Sequence, residues 1–76
     1  MKKENYVMKL IIWYTEKSPV VVSFWDTSIQ TLLYQYKTFL DFAIISTRNI
    51  YIIINVMIFD KNGDCVFEER KKIKTR

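Results

Sequence analysis

The strand-like segments of this chain are apolar on both of their faces. Between residues 50 and 59 every even position is aliphatic, and four of the five odd positions carry aromatic, aliphatic or thioether side chains. Residues 6 to 16 are similar, with Val7, Ile11 and Trp13 placed between mostly apolar even positions. A strand with one wet face alternates between apolar and polar residues. Two apolar faces therefore indicate that both are buried, or that one of them binds a partner.

One segment of the chain has the periodicity of a helix. Its apolar residues recur at spacings of three and four, the pattern of one buried helical face: Ile29, Leu32, Leu33, Tyr36, Phe39 and Leu40. Asp26, Thr27 and Ser28 are suitable N-caps, and Thr27 with Gln30 three positions later fits a capping box. We expect a helix from about Ser28 to Asp41, followed by a break at residues 46 to 49.

Four further segments have the composition of strands, because β-branched and aromatic residues are enriched in them. They extend from Tyr6 to Glu16, from Val20 to Trp25, from Ile50 to Phe59, and from Cys65 into the charged residues that follow Phe67. The predicted fold class is α+β: a four-stranded antiparallel sheet with one helix packed on one face, in the order ββαββ.

The two hairpins also have predicted registers. In the first, we expect Tyr14 to lie opposite Val20. In the second, the Asn62-Gly63 pair between apolar runs predicts a two-residue type I′ turn. That turn places Ile58 opposite Phe67, and Phe59 opposite Val66.

One helix is too small to cover this sheet. A sheet of four strands is about 19 Å wide and its longest strand about 33 Å long, whereas a fourteen-residue helix is about 21 Å long and 10 Å across. An uncovered odd face would expose aromatic side chains amounting to roughly 600 Å², more than monomers commonly tolerate. A single domain of 76 residues also has a marginal core of its own.

The leading hypothesis is therefore a non-enzymatic interaction module that docks through this apolar, aromatic sheet face. We expect a protein partner: a second copy in a homodimer, or the target of a small inhibitor or accessory regulator. The expected anchors are Trp13, Trp25, Tyr51, Met57 and Phe59.

Residue types that carry chemistry are scarce. The chain has no histidine, one cysteine and one glycine, which argues against a histidine general base, a thiolate zinc site and a glycine-rich phosphate loop. Residues 60 to 71 lack the glycine and glutamate that a calcium loop requires. We predict no catalytic residues, no metal, no cofactor and no small-molecule substrate.

The net charge of +4 is concentrated at one end of the chain. Residues 70 to 76 contain five cations and no acid, and they are expected to form a basic, poorly ordered tail. With exposed aromatic residues, basic groups suit single-stranded nucleic acid, the alternative function. The residues assigned to this alternative are Lys9, Arg70, Lys71, Lys72, Lys74 and Arg76.

The sequence also predicts a location. We do not expect the N-terminal residues to form a signal peptide, because Lys9 and Glu16 interrupt the apolar stretch and no small-residue cleavage site follows. The longest uncharged run, residues 49 to 59, is about half of the roughly 20 residues that span a bilayer as a helix. A cytoplasmic protein without a membrane partner is expected.

Overall fold

The computed structural model describes residues 5–15, 18–48 and 51–75, and it confirms the α+β fold in the order ββαββ. The elements are β1 (Tyr6–Trp13), β2 (Val20–Asp26), α1 (Ile29–Ser46), β3 (Tyr51–Phe59) and β4 (Cys65–Lys74). They form one antiparallel sheet in the order β2-β1-β3-β4, with β2 and β4 at its edges.

The β1–β2 hairpin differs from its predicted register by two residues. Val20 pairs with Ile12, not with Tyr14, and β1 ends at Trp13. The connection is longer than expected because Pro19 cannot donate to the ladder and no glycine is available there for a tight turn. A shift of two residues preserves the faces, so the even residues still share one side. Glu16, the predicted end of this strand, lies outside the described residues.

Helix α1 begins where the sequence indicates but extends five residues further. Ser28 is the N-cap, and its hydroxyl accepts a hydrogen bond from the backbone N–H of Thr31 at 3.3 Å; the predicted box starting at Thr27 is therefore wrong. The helix continues to Ser46, not to Asp41. Ala43 is only 3% exposed and follows Tyr36 and Leu40 on the same helical face, so packing on the sheet stabilises the extra turn.

The β3–β4 hairpin has the predicted Ile58–Phe67 pair, but its turn is different. Phe59 pairs with Cys65, not with Val66, which leaves Val66 as the extra residue of a bulge. The N–H of Gly63 donates to the carbonyl of Asp60 at 3.0 Å, and Gly63 has a φ of 86°. A type I′ turn would also require positive φ at Asn62, and the described residues include no such non-glycine residue. This is a three-residue turn ending in a left-handed glycine.

The basic C-terminal segment is mostly strand, which corrects the expected tail. β4 continues to Lys74 and pairs with β3 as far as Tyr51. Strand pairing uses the backbone, so successive charged side chains do not prevent it at an edge where they remain in water. Arg76 lies outside the described residues.

The sheet has two faces with different cover. We call the side that carries α1 the helix face; it comprises the even residues of β1 to β3 and the odd residues of β4 from Phe67 to Ile73. The opposite side is the outer face, with the odd residues of β1 to β3 and the even residues of β4 from Glu68 to Lys74. The fully buried side chains lie between α1 and the helix face: Met8, Leu10, Ile12, Leu32, Ile52, Ile54, Val56 and Ile58.

Candidate interaction site

The register places all five predicted anchors on the outer face. Val7 has Trp25 on one side and Phe59 on the other, and Lys9 pairs with Met57 in the next row. Trp13 and Tyr51 lie towards the opposite end of β1 and β3. Paired residues of neighbouring strands point to the same side of a sheet, so alternation alone was sufficient to group these residues.

The anchors are exposed to different degrees. Trp25 on the edge strand is 63% exposed and Tyr51 is 41% exposed. Trp13, Met57 and Phe59 are less accessible, because each of them is half-buried. The three half-buried anchors all lie on the central strands β1 and β3, and a side chain of β4 covers Trp13 as described below. The outer face is therefore an apolar surface whose most accessible anchors, Trp25 and Tyr51, lie towards opposite ends of the sheet.

Strand β4 brings cations onto the same face. The guanidinium carbon of Arg70 lies 5.3 Å from the centre of the Trp13 ring, and the amine of Lys72 lies 4.4 Å from that of Tyr51. Both are within the range of cation–π attraction. Lys74 pairs with Tyr51 in the ladder and completes the row.

The sequence-predicted basic set is thus divided between the faces. Lys9, Arg70, Lys72 and Lys74 lie on the outer face, but Lys71 is on the helix face. Its amine lies 3.3 Å from a carboxylate oxygen of Glu69. The strand residues of the outer face therefore contain four cations and one anion, Glu68, which gives a net charge of +3.

Asn55 is the polar residue at the middle of the outer face. It pairs with Ile11 on one side and with Arg70 on the other. Its side-chain carbonyl oxygen is buried and accepts no hydrogen bond from the residues that the structure describes. A buried acceptor without a donor lowers stability, so this position of the outer face is not optimised for folding alone.

A small polar cluster lies where α1 reaches over β4. The hydroxyl of Tyr36 donates to Glu69 at 3.1 Å, and the amine of Lys71 lies 6.0 Å from the Tyr36 ring centre. Burial raises the pKa of the Tyr36 phenol, with a further contribution from Glu69 that Lys71 opposes. The hydrogen bond to Glu69 raises the pKa of the Lys71 amine. The cluster satisfies charged groups on a face that is otherwise apolar.

A groove between α1 and β2 was missed by the sequence analysis. Its volume is about 390 Å³. The side chains that line it are almost entirely apolar at the surface: Phe24, Tyr34, Gln35, Thr38, Phe39 and Phe42. Phe24 and Phe39 meet edge to face, with ring centres 6.1 Å apart. The available signal was Tyr34 and Phe42, two aromatic residues that lie away from the buried helical face.

Among the described residues, no three histidine, cysteine or acidic side chains come close enough to hold a metal ion. No helix in the described part of the chain is sufficiently long and apolar to cross a membrane. Cys65 is a free, exposed thiol, and its sulfur lies 3.3 Å from the carbonyl oxygen of Phe67.

Comparison with protein-family models, with curated proteins and with solved structures gives no match to this chain.

Proposed function

We propose that the chain is a non-enzymatic interaction module that binds a protein partner with its outer face, as a small inhibitor or accessory regulator. The observation that supports this most directly is the lack of a second layer. Within residues 5–15, 18–48 and 51–75, no helix or strand packs over the outer face, although β1, β2 and β3 present apolar side chains there. An exposed, contiguous apolar patch commonly marks a binding site.

The arrangement of side chains also resembles an interface. Apolar and aromatic residues predominate on β2, β1 and β3, and apart from Lys9 on β1 the charges of the outer face lie on β4 at one rim. Protein interfaces have an apolar centre with a polar rim, and tryptophan, tyrosine and arginine supply much of their binding energy. The net charge of +3 favours a partner with an acidic rim. It disfavours two copies stacked outer face to outer face with β4 over β4, because like charges would be brought together.

The free thiol of Cys65 is consistent with a reducing compartment. We therefore propose that the module acts in the cytoplasm.

The test is a quantitative pull-down from the native cell after nuclease treatment. Trp13→Ser and Trp25→Ser remove two anchors of the outer face, and each should lower the recovery of a specific protein about tenfold or more, as expected for loss of a hot spot. Ile45→Ser is the matched control, because Ile45 is 83% exposed but lies on α1. Partners that are retained equally by the wild type and by both tryptophan variants would contradict the proposal.

Single-stranded nucleic acid is the second candidate, and one observation favours it. Residues Arg70, Lys72 and Lys74 follow at every second position of β4 and so reach the face that carries Trp13 and Tyr51. Cations beside aromatic rings are the elements of a single-strand binding surface. Against it, Arg70 already lies over the Trp13 ring, which a stacking base would have to use, and the centre of the face is mainly aliphatic.

Salt dependence separates the two candidates. If Lys9, Arg70, Lys72 and Lys74 contact phosphates, the logarithm of the affinity for a labelled oligonucleotide should fall with the logarithm of salt concentration with a slope of about −3. Lys72→Ala should reduce that slope, whereas Lys61→Ala, in the β3–β4 turn, should not. Binding with little salt dependence, or no binding, would exclude this candidate.

A further inference from the structure

The two edge strands of the sheet are protected to different degrees. On β4, charged residues follow one another from Glu68 to Lys72, and such charges discourage pairing with another strand. Strand β2 has the sequence VVVSFWD, with Asp26 as its single charge at the end. The carboxylate of Asp26 accepts a hydrogen bond from the backbone N–H of Ser28 at 2.9 Å. β2 is therefore the edge that is open to further pairing.

Exposed apolar side chains are concentrated on β2 and α1. Among the described residues, all five large apolar side chains that are more than 60% exposed lie on these two elements: Val21, Trp25, Tyr34, Phe42 and Ile45. The apolar groove also lies between β2 and α1. At 100° per residue, Thr38 and Phe42 lie on the helical flank towards β2, while Lys37 and Asp41 lie on the other flank. The side of α1 that borders the open edge is therefore uncharged.

We propose that β2 pairs with β2 of a second copy of this chain, antiparallel and around a two-fold axis through Ser23, so that the two sheets join into one of eight strands. The strand is complementary to itself in this register. Trp25 lies opposite the partner's Val21 on the outer face, and Phe24 lies opposite the partner's Val22 on the helix face. Aromatic residues opposite β-branched ones are favourable cross-strand pairs.

The same axis brings the two helices together. Strands are about 4.8 Å apart, so a helix that packs over β1 and β2 would lie about 10 Å from its copy, which is close to the usual distance between packed helices. Thr38 lies midway between Tyr34 and Phe42 in the sequence of α1. Antiparallel helices that cross at Thr38, a small residue, place Tyr34 opposite the partner's Phe42, and these rings would close the groove.

The area is sufficient for a dimer. Since a buried aromatic side chain brings about 150 Å² or more, the exposed residues of each copy that border the contact, Val21, Trp25, Tyr34 and Phe42, offer on the order of 500 Å². Two copies then reach the roughly 1,000 Å² expected of a specific interface. The contact leaves the outer faces of both copies side by side. It shares Trp25 with the anchors proposed for that face, so Trp13→Ser is the variant that tests partner binding alone.

Oligomeric state is the first test. Sedimentation of the full chain at micromolar concentration should give about twice the 9.2 kDa of one chain. Phe42→Lys, which places a charge on the uncharged flank, should sediment as a monomer. Its circular dichroism spectrum should show that it is still folded. The matched control is Val66→Lys on the opposite edge, where Val66 is 45% exposed, and it should remain a dimer. A monomeric wild type, or a Phe42→Lys protein that remains dimeric, would overturn the proposal.

A cross-link tests the register and does not depend on the folding of the lysine variant. With Cys65→Ser to remove the native thiol, Ser23→Cys places two cysteines directly opposite each other, at a Cα separation that a disulfide can span. Mild oxidation should convert most of this protein to a covalent dimer. Val21→Cys in the same background is the control, because its two copies would be about 13 Å apart along the strands. Absence of the Ser23→Cys cross-link, or equal cross-linking of both variants, would exclude this axis.

Discussion

On the central strands β1 and β3, both faces of the sheet consist mainly of apolar residues, but the two faces are buried to very different degrees. On the helix face, Leu10 and Ile54 are completely buried; on the outer face their neighbours Ile11 and Ile53 are only half-buried. The strands are the same, and the difference is α1, which packs over one side alone. Burial in this small sheet is therefore determined by the covering layer, and the uncovered side is left with a surface suited to binding.

The comparison is tested most strongly by the same truncation at adjacent positions of β1. Leu10→Ala removes a side chain that is 0% exposed, so it should lower the free energy of unfolding by about 2 to 5 kcal/mol. Ile11→Ala, one residue along on the outer face, should cost about 1 kcal/mol because its side chain is already partly in water. Denaturant titrations measure both values. Equal losses would show that the outer face is as well covered as the helix face.

A hydroxyl placed on each face gives a smaller contrast. Val56→Thr puts a polar group at a position that is 0% exposed, and it should cost about 1 to 3 kcal/mol because the hydroxyl loses water. Val21→Thr makes the same change at a position on β2 that is 62% exposed, and its effect should be within about 0.5 kcal/mol. If Val21→Thr lowered the free energy of unfolding strongly at protein concentrations too low for dimerisation, the outer face could not be exposed at this position.

Helix α1 creates the difference between the faces, so weakening its first turn should reduce that difference. Ser28→Ala removes the cap on the N–H of Thr31 and should lower the free energy of unfolding by about 1 kcal/mol. Thr27→Ala is the control, because the cap belongs to Ser28. Thermal unfolding followed by circular dichroism checks both variants, and a greater loss for Thr27→Ala would restore the capping box predicted from the sequence.

The element order and the two faces could be predicted because they depend on local periodicity. Residues two apart share a face of a strand whatever their partner, so the anchors from Trp13 to Phe59 were grouped correctly even though the β1–β2 register was two residues away from the prediction. The period of α1 identified Leu32, Tyr36 and Leu40 as facing the core, and all three are buried.

What failed depends on contacts between distant parts of the chain. The end of α1 was misplaced because Ala43 is held by the sheet and not by a local signal. The strand at residues 70 to 74 was taken for a tail because its charges obscure a backbone pairing with β3. The groove was missed because its position depends on where α1 crosses β2; Tyr34 and Phe42 were its local signal, but they do not show what lies beside them.

The smallest expected effect concerns the border of the helix face, where α1 gives way to the polar cluster on β4. Tyr36→Phe keeps the buried ring but removes its hydrogen bond to Glu69, so at neutral pH it should cost about 0.5 to 1 kcal/mol. The effect should also depend on pH. Burial raises the pKa of Tyr36, and Glu69 raises that of Lys71, so the folded state retains both protons to higher pH than the unfolded state.

This difference stabilises the fold fully below about pH 10 and is lost as the pH rises through the folded-state pKa values. Wild-type stability should therefore decline in alkaline solution, and Tyr36→Phe should decline less steeply because only the Lys71 contribution remains. Tyr34→Phe, at a position 72% exposed, is the matched control and should follow the wild type. If both phenylalanine variants had the same alkaline profile, Tyr36 would be as well hydrated as Tyr34, and the cover provided by α1 would end before it reaches β4.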